Sequence, residues 1–235
     1  MLARIMQAWK RRGLPIGRRS LRFSQVSYSQ FGEDLIAEAT FGTAYRGGRY
    51  VDVGCFDPQK WSNTYRFYLK GWSGICVDPN SEFIKLWHKY RSRDTFVNVA
   101  VSSQSGEAAY TKSDDFPQEN QLLLGARQQR PGAPTTVVRT ERLDQIITKH
   151  HPAGEAIDFM SVDCEWHDLV VLQSNDFIRY RPRVLIVEDV DRRVDSPIDR
   201  FCGDAEYKLV GMSAQSKVFA DERWLADRRS TVSNQ

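Results

Sequence analysis

From residue 49 onward the chain alternates short apolar runs with segments of mixed polarity. RYVDVGC (49–55), GICVDP (74–79), TFVNVAVS (95–102), IDFMSVD (157–163) and RPRVLIVED (181–189) are the apolar runs. Their apolar residues are continuous rather than alternating, which suits strands of a parallel sheet covered on both faces. SNTYRFYLKG (62–71), closed by Gly71, SEFIKLWHKYR (81–91), with Asn80 as its cap, and ERLDQIITKHH (141–151) read as helices between them. A further helix runs through Val170 and Leu172, and a short one lies near Pro197–Cys202. GEAAYTK is hairpin-like and TTVVRT is another strand, while EYKLVGM and SKVFADE pair as a terminal β-hairpin. The alternation predicts an α/β domain of three layers, a mostly parallel sheet with helices on both faces. Ser113–Pro134, rich in Gln, Gly, Pro and Arg, is long for a connection in a compact domain and is expected to be a lid-like or flexible loop. No internal repeat or domain break interrupts residues 28–235, which are expected to form one domain.

Composition changes this picture little. With 235 residues, 41% hydrophobic and 27% charged, the chain can bury one sizeable core. A net charge of +3 is too weak to argue for nucleic acid. The basic excess gathers in residues 1–27, where Arg4, Lys10, Arg11, Arg12, Arg18, Arg19 and Arg22 interleave at first with Leu2, Ile5, Met6 and Trp9. Two readings stand: a solvated N-terminal extension, or a basic amphipathic helix in peripheral contact with an anionic membrane surface. No stretch reads as a signal peptide or spanning helix, so a cytoplasmic location is expected. Cys55, Cys76, Cys164 and Cys202 form no CxxC pair and read as small buried thiols.

Ligands of open α/β sheets bind beyond the carboxyl ends of the strands. The first such end, VDVGCFDP, brings Asp52 and Gly54, where a side chain would block a closely approaching ligand. The second brings Asp78, whose carboxylate can accept hydrogen bonds from both hydroxyls of a ribose. A dinucleotide site needs G-x-G-x-x-G so that a pyrophosphate can sit on the helix N-terminus. Here one glycine is followed by Asp57, which would repel a pyrophosphate. An acidic turn with one glycine better suits the cationic groups of S-adenosylmethionine. An NAD-type oxidoreductase and a non-catalytic partner-binding domain remain the alternatives.

YSQFGEDLI (28–36), YVDVGCFDP (50–58), SNTYRFYLKGWSGICVDPN (62–80), NVAVS (98–102), ERLDQII (141–147) and IDFMSVDCEWHDLVVL (157–172) together resemble the successive blocks of FkbM-type methyltransferases. The resemblance implies a Rossmann-like class I fold, S-adenosylmethionine as cofactor, and O-methylation of a hydroxyl on a sugar, glycolipid or other glycosylated acceptor. By position it implies that Asp52 and Gly54 line the methionine part of the cofactor and that Asp78 holds the ribose. Asn98 and Ala100 would lie near adenine, and Ser62 and Asn63 would reach the cofactor carboxylate. Gln30 and Glu33 belong to a block whose alternative role is a helix N-terminus. The last block departs from the family, which commonly has Gly where this chain has Trp166; the ring would stack on a sugar or pack in the core.

Transfer to a sugar hydroxyl needs a proton acceptor. Asp163, at the tip of the fourth core strand, and Glu188, ending the fifth, are expected catalytic residues. The two could also hold a divalent cation such as magnesium with water and substrate oxygens. His167 could face the same cleft as a base, and Glu165 reads as a helix-end residue. The chain lacks HExxH and any Cys/His framework for zinc.

Overall fold

In a computed structural model of the chain, residues 23–111, 121–123, 134–190 and 195–233 are described. The basic segment before residue 23 lies outside them, as does most of 113–134. No helix among the described residues is long and apolar enough to cross a membrane.

Seven strands form the main sheet: β1 (Arg49–Val53), β2 (Ser73–Val77), β3 (Thr95–Val97), β8 (Phe159–Val162), β9 (Val184–Glu188), β10 (Tyr207–Met212) and β11 (Ser216–Asp221). Their spatial order is β10-β11-β9-β8-β1-β2-β3. Strands β3, β2, β1, β8 and β9 run parallel, and β11 joins β9 antiparallel with β10 outside it. The terminal hairpin therefore completes the sheet. The chain adds β2 and β3 on one side of β1, then crosses to add β8 and β9 on the other. The order reverses at β1, and such a reversal opens a crevice at the strands' carboxyl ends.

Because successive side chains of a strand point to opposite faces, the continuous apolar runs supply both faces at once. Val51, Val53, Met160, Val162, Leu185 and Val187 face α4 (Leu143–His150), through Ile146 and Ile147, and α5 (Asp168–Gln173), through Val171 and Leu172. Tyr50, Phe159, Val184 and Ile186 face the other way. There they meet Ala37 and Phe41 of α1 (Glu33–Phe41), Phe67 of α2 (Tyr65–Leu69) and Trp87 of α3 (Ile84–Tyr90). The Asn80 side chain accepts a hydrogen bond from the Glu82 amide and caps a 3-10 turn that leads into α3. A capping box, Ser196 with Asp199, starts α6 (Pro197–Asp204).

Three features depart from the sequence reading. TFVNVAVS is not one strand. It breaks at Asn98, and β4 (Ala100–Val101) leaves the main sheet to pair with β7 (Thr135–Glu141). A second, four-stranded sheet results, in the order β4-β7-β5-β6, with β5 at Gly106–Thr111 and β6 at Gln121–Leu123. A last helix, α7 (Glu222–Ser233), has too few apolar residues to reveal itself by periodicity, yet Trp224 packs against the α1 face.

The crevice is framed at Gly54. Its amide donates to the Val77 carbonyl at 2.9 Å, and the Asp163 amide donates to the Val53 carbonyl at 3.0 Å. Gly54 has φ +75°, and a Cβ there would stand 1.7 Å from the Asp163 carbonyl oxygen. No rotamer change relieves a clash between two main chains. Gly54→Ala is therefore expected to lower the unfolding free energy by more than the ~1–2 kcal/mol that a left-handed alanine costs elsewhere. Urea denaturation measures this, and an alanine variant as stable as the parent would contradict it.

Candidate active site

A cavity of about 410 Å³ opens at the carboxyl ends of β1, β2, β8 and β9, closed on one side by the second sheet through Tyr110 and Leu122. Of the residues expected at a site, Gly54, Asp78, Ala100, Asp163, His167 and Glu188 line it, with Gln30 at its mouth. Asn63 lines only a small adjoining recess, with Glu33, Asp163 and Glu188, and donates to the Ser161 hydroxyl at 3.0 Å.

Asp52, Ser62 and Asn98 do not line the cavity, so the placement expected for them is corrected. Asp52 alternates with Val51 and Val53 and so turns toward the α1 layer, where it accepts from the Thr64 hydroxyl at 2.5 Å. Burial pushes its carboxyl up to about 6. The Ser62 hydroxyl accepts from the Tyr65 amide at 3.1 Å, closing the turn into α2. Asn98 donates to the Asp78 carbonyl at 2.9 Å and clips the two strand ends together from outside. Asp57 is also turned away. Its Oδ1 accepts from the Gln59 and Lys60 amides, so it shapes its own loop rather than facing a ligand.

Asp78 sits 6% exposed at the β2 tip. One oxygen accepts from the Phe56 amide at 3.0 Å and the other from the Asn80 amide at 2.7 Å. Backbone donors to both oxygens fix the carboxylate's orientation. Beside it Pro79, Phe83, Val99 and Ala100 make an apolar wall.

The loop that carries Phe56 and Trp61 is held from below by Arg91, 1% exposed. The guanidinium donates to Asp94 at 2.7 Å, to the Pro58 carbonyl at 2.9 Å, and to the Tyr50 and Thr64 hydroxyls at 2.9 Å. The rings of Tyr68 and Trp87 lie 4.8 and 4.7 Å from it. This buried charge is paired and saturated with acceptors, the condition under which burial is tolerated.

At the opposite wall, Cys164–His167 forms a turn in which the His167 amide donates to the Cys164 carbonyl at 3.1 Å. Its two central residues, Glu165 and Trp166, have φ of +50° and +74°. Two successive positive φ values are the signature of a mirror-image turn, usually filled by Gly, Asn or Asp. That explains the glycine common at this place in the FkbM-type blocks. Phe56 and Trp61, φ +46° and +56°, also line the cavity. Four of the six non-glycine residues with positive φ among the described residues thus surround one cavity, and strained backbone of this kind clusters at functional sites.

The carboxylates converge on the same wall. Burial, with the charges of Asp52 and Glu33, raises Asp163. Burial, with the charges of Asp163, Asp168 and Glu165, raises Glu188 further. The Asp163 and Glu188 side chains also hydrogen-bond to each other. Asp168 accepts from the Cys164 amide at 2.8 Å and is pushed up by burial to about 8. One oxygen each from Asp163, Glu165 and Glu188 lies within 4.8 Å of the others. Glu165 therefore belongs to the acidic group rather than merely ending a helix. Trp166, 57% exposed, stands at the rim. The sequence reading passed over Phe56, Trp61, Tyr110 and Leu122; an aromatic loop directly after the glycine turn was the signal for the first two.

A family model described as the methyltransferase FkbM domain matches residues 44–199. No curated protein matches the chain. Among solved structures, the chain is similar to methyltransferase FkbM from Methylobacillus flagellatus KT at 11% identity and a TM-score of 0.47, over 79% of this chain and 47% of that one. It thus spans less than half the length of that protein. A methyltransferase from Geobacter sulfurreducens is 13% identical, with a TM-score of 0.42 over 94% of this chain and 87% of that one. The 1,6-didemethyltoxoflavin-N1-methyltransferase of Burkholderia thailandensis, with bound 1,6-didemethyltoxoflavin and S-adenosylhomocysteine, is 11% identical. Its TM-score is 0.39, over 80% of this chain and 76% of that one. The family model spans well over half of the sequence, and the chain belongs to the FkbM family of S-adenosylmethionine-dependent methyltransferases.

Proposed function

We propose that the protein is an O-methyltransferase that moves the methyl group of S-adenosylmethionine to a hydroxyl of a sugar, glycolipid or other glycosylated acceptor. The observation that carries this reading is the cavity itself. It has Asp78 with both oxygens fixed by backbone donors at one end, and carboxylates, a histidine and an exposed tryptophan at the other. The acidic lining of Asp78, Asp163, Glu165 and Glu188 favours a cationic cofactor.

The residues fit the cofactor. Gly54 lets the tips of β1 and β8 close up into the crevice floor, Asp78 accepts from the ribose hydroxyls, and the wall of Pro79, Phe83, Val99 and Ala100 takes adenine. When bound, S-adenosylmethionine supplies an electrophilic methyl group on a sulfonium. Asp163 and Glu188 provide negative charge beside that cation. His167, fixed at the start of α5, takes the hydroxyl proton. Trp166 offers an apolar face on which a sugar ring can stack. Holding the acceptor in line supplies on the order of 7–11 kcal/mol in well-oriented systems, and a positioned base adds about a hundred- to ten-thousand-fold.

Incubating the protein with methyl-labelled S-adenosylmethionine and a panel of neutral sugars, glycolipids and amines tests the assignment. Label is expected in an alkali-stable ether on a sugar, and label found only on nitrogen would overturn the O-specificity. His167→Gln is expected to lower kcat at least ~100-fold while S-adenosylhomocysteine affinity stays within twofold. Trp166→Gly should separate strain from recognition. A left-handed tryptophan costs ~1–2 kcal/mol, so the glycine variant is expected to be at least as stable in urea, with a raised KM for the acceptor. A clear loss of stability would mean that the ring packs rather than recognises.

A further inference from the structure

We propose that Asp163, Glu165 and Glu188 bind one hard divalent cation, of the magnesium or manganese class, which holds oxygens of the acceptor in the cavity. The role given to the ion rests on the proposed function, since it needs an acceptor there; its binding does not.

Three observations meet at this site. One carboxylate oxygen from each residue lies within 4.8 Å of the others. Oxygens opposite one another across an ion lie about 4–5 Å apart, given ligand distances of about 2.0–2.6 Å, so the span suits one ion without backbone movement. Independently, Glu188 is 7% exposed and lines the cavity, and its Oε2 has no hydrogen-bond partner among the described residues. A buried oxygen without a donor is costly, and native proteins rarely leave one unexplained. A cation answers that cost directly. Finally, Glu165 belongs to the cluster from a turn in which it has φ +50° and Trp166 beside it +74°.

The donors select the ion. Carboxylates offered by two strand tips and one turn make an all-oxygen set that suits magnesium, manganese or calcium rather than a thiolate-seeking metal. Three protein ligands leave positions open for water and for two neighbouring acceptor oxygens. An acceptor with vicinal hydroxyls, one bridging toward the methyl group, fits such a site.

The test is a manganese titration of the full, chelator-stripped chain, followed by the electron paramagnetic resonance of free manganese, with and without S-adenosylhomocysteine. One saturable site per chain is expected. Glu165→Gln and Glu188→Gln should each weaken it by at least about tenfold, with S-adenosylhomocysteine affinity within twofold of the parent. Glu165 lies on a turn at the rim, so its variant serves if Glu188→Gln does not fold. Absence of saturable binding, or equal binding by parent and variants, overturns the inference. A chain that binds the nucleoside product but not manganese overturns the ion and leaves the proposed function standing; one that binds manganese but not the nucleoside does the reverse.

Discussion

The tips of β1 and β8 approach so closely at Gly54 that the Asp163 carbonyl occupies the space of a side chain. That single steric constraint organises the site. It lets the two central strands end side by side where the sheet order reverses, and it sets Asp163 at the floor of the resulting crevice. Asp78 then stands one strand away on one side and Glu188 one strand away on the other. Asp78 is separated from Asp163 and Glu188 because the strands that carry them lie on opposite sides of β1.

Two devices built from the α1-side layer and the Cys164–His167 turn hold the rim. Arg91 gathers Asp94, Tyr50, Thr64 and the Pro58 carbonyl, and so ties the aromatic loop after Gly54 to α3 and β3. The turn stores backbone strain instead, at two adjacent positive φ values, and presents Glu165 inward and Trp166 at the mouth. The first device stabilises; the second costs stability.

Much of the fold was legible in the sequence because buried parallel strands leave continuous apolar runs, and five of them stood out. The break at Asn98 was not. Ala100 and Val101 suit either sheet, and pairing with the distant β7 decided between them. The strand tips Gly54, Asp78, Asp163 and Glu188 meet at one cavity because topology brings tips together whatever the loops do. Asp52 was misplaced although the signal was present: Val51 and Val53 face α4 and α5, so the residue between them must face the other layer. Glu165 was undervalued because a turn with two positive φ values is invisible where neither residue is Gly, Asn or Asp.

We propose that the crevice at β1 holds an S-adenosyl cofactor by way of Asp78. Calorimetric titration with S-adenosylhomocysteine tests it most directly, comparing the parent with Asp78→Ala. One saturable site per chain is expected in the parent and at least about tenfold weaker binding in the variant, the loss expected when charge-assisted hydrogen bonds worth roughly 1.5–3 kcal/mol are removed. No binding by the parent, or the same affinity in both proteins, would contradict it.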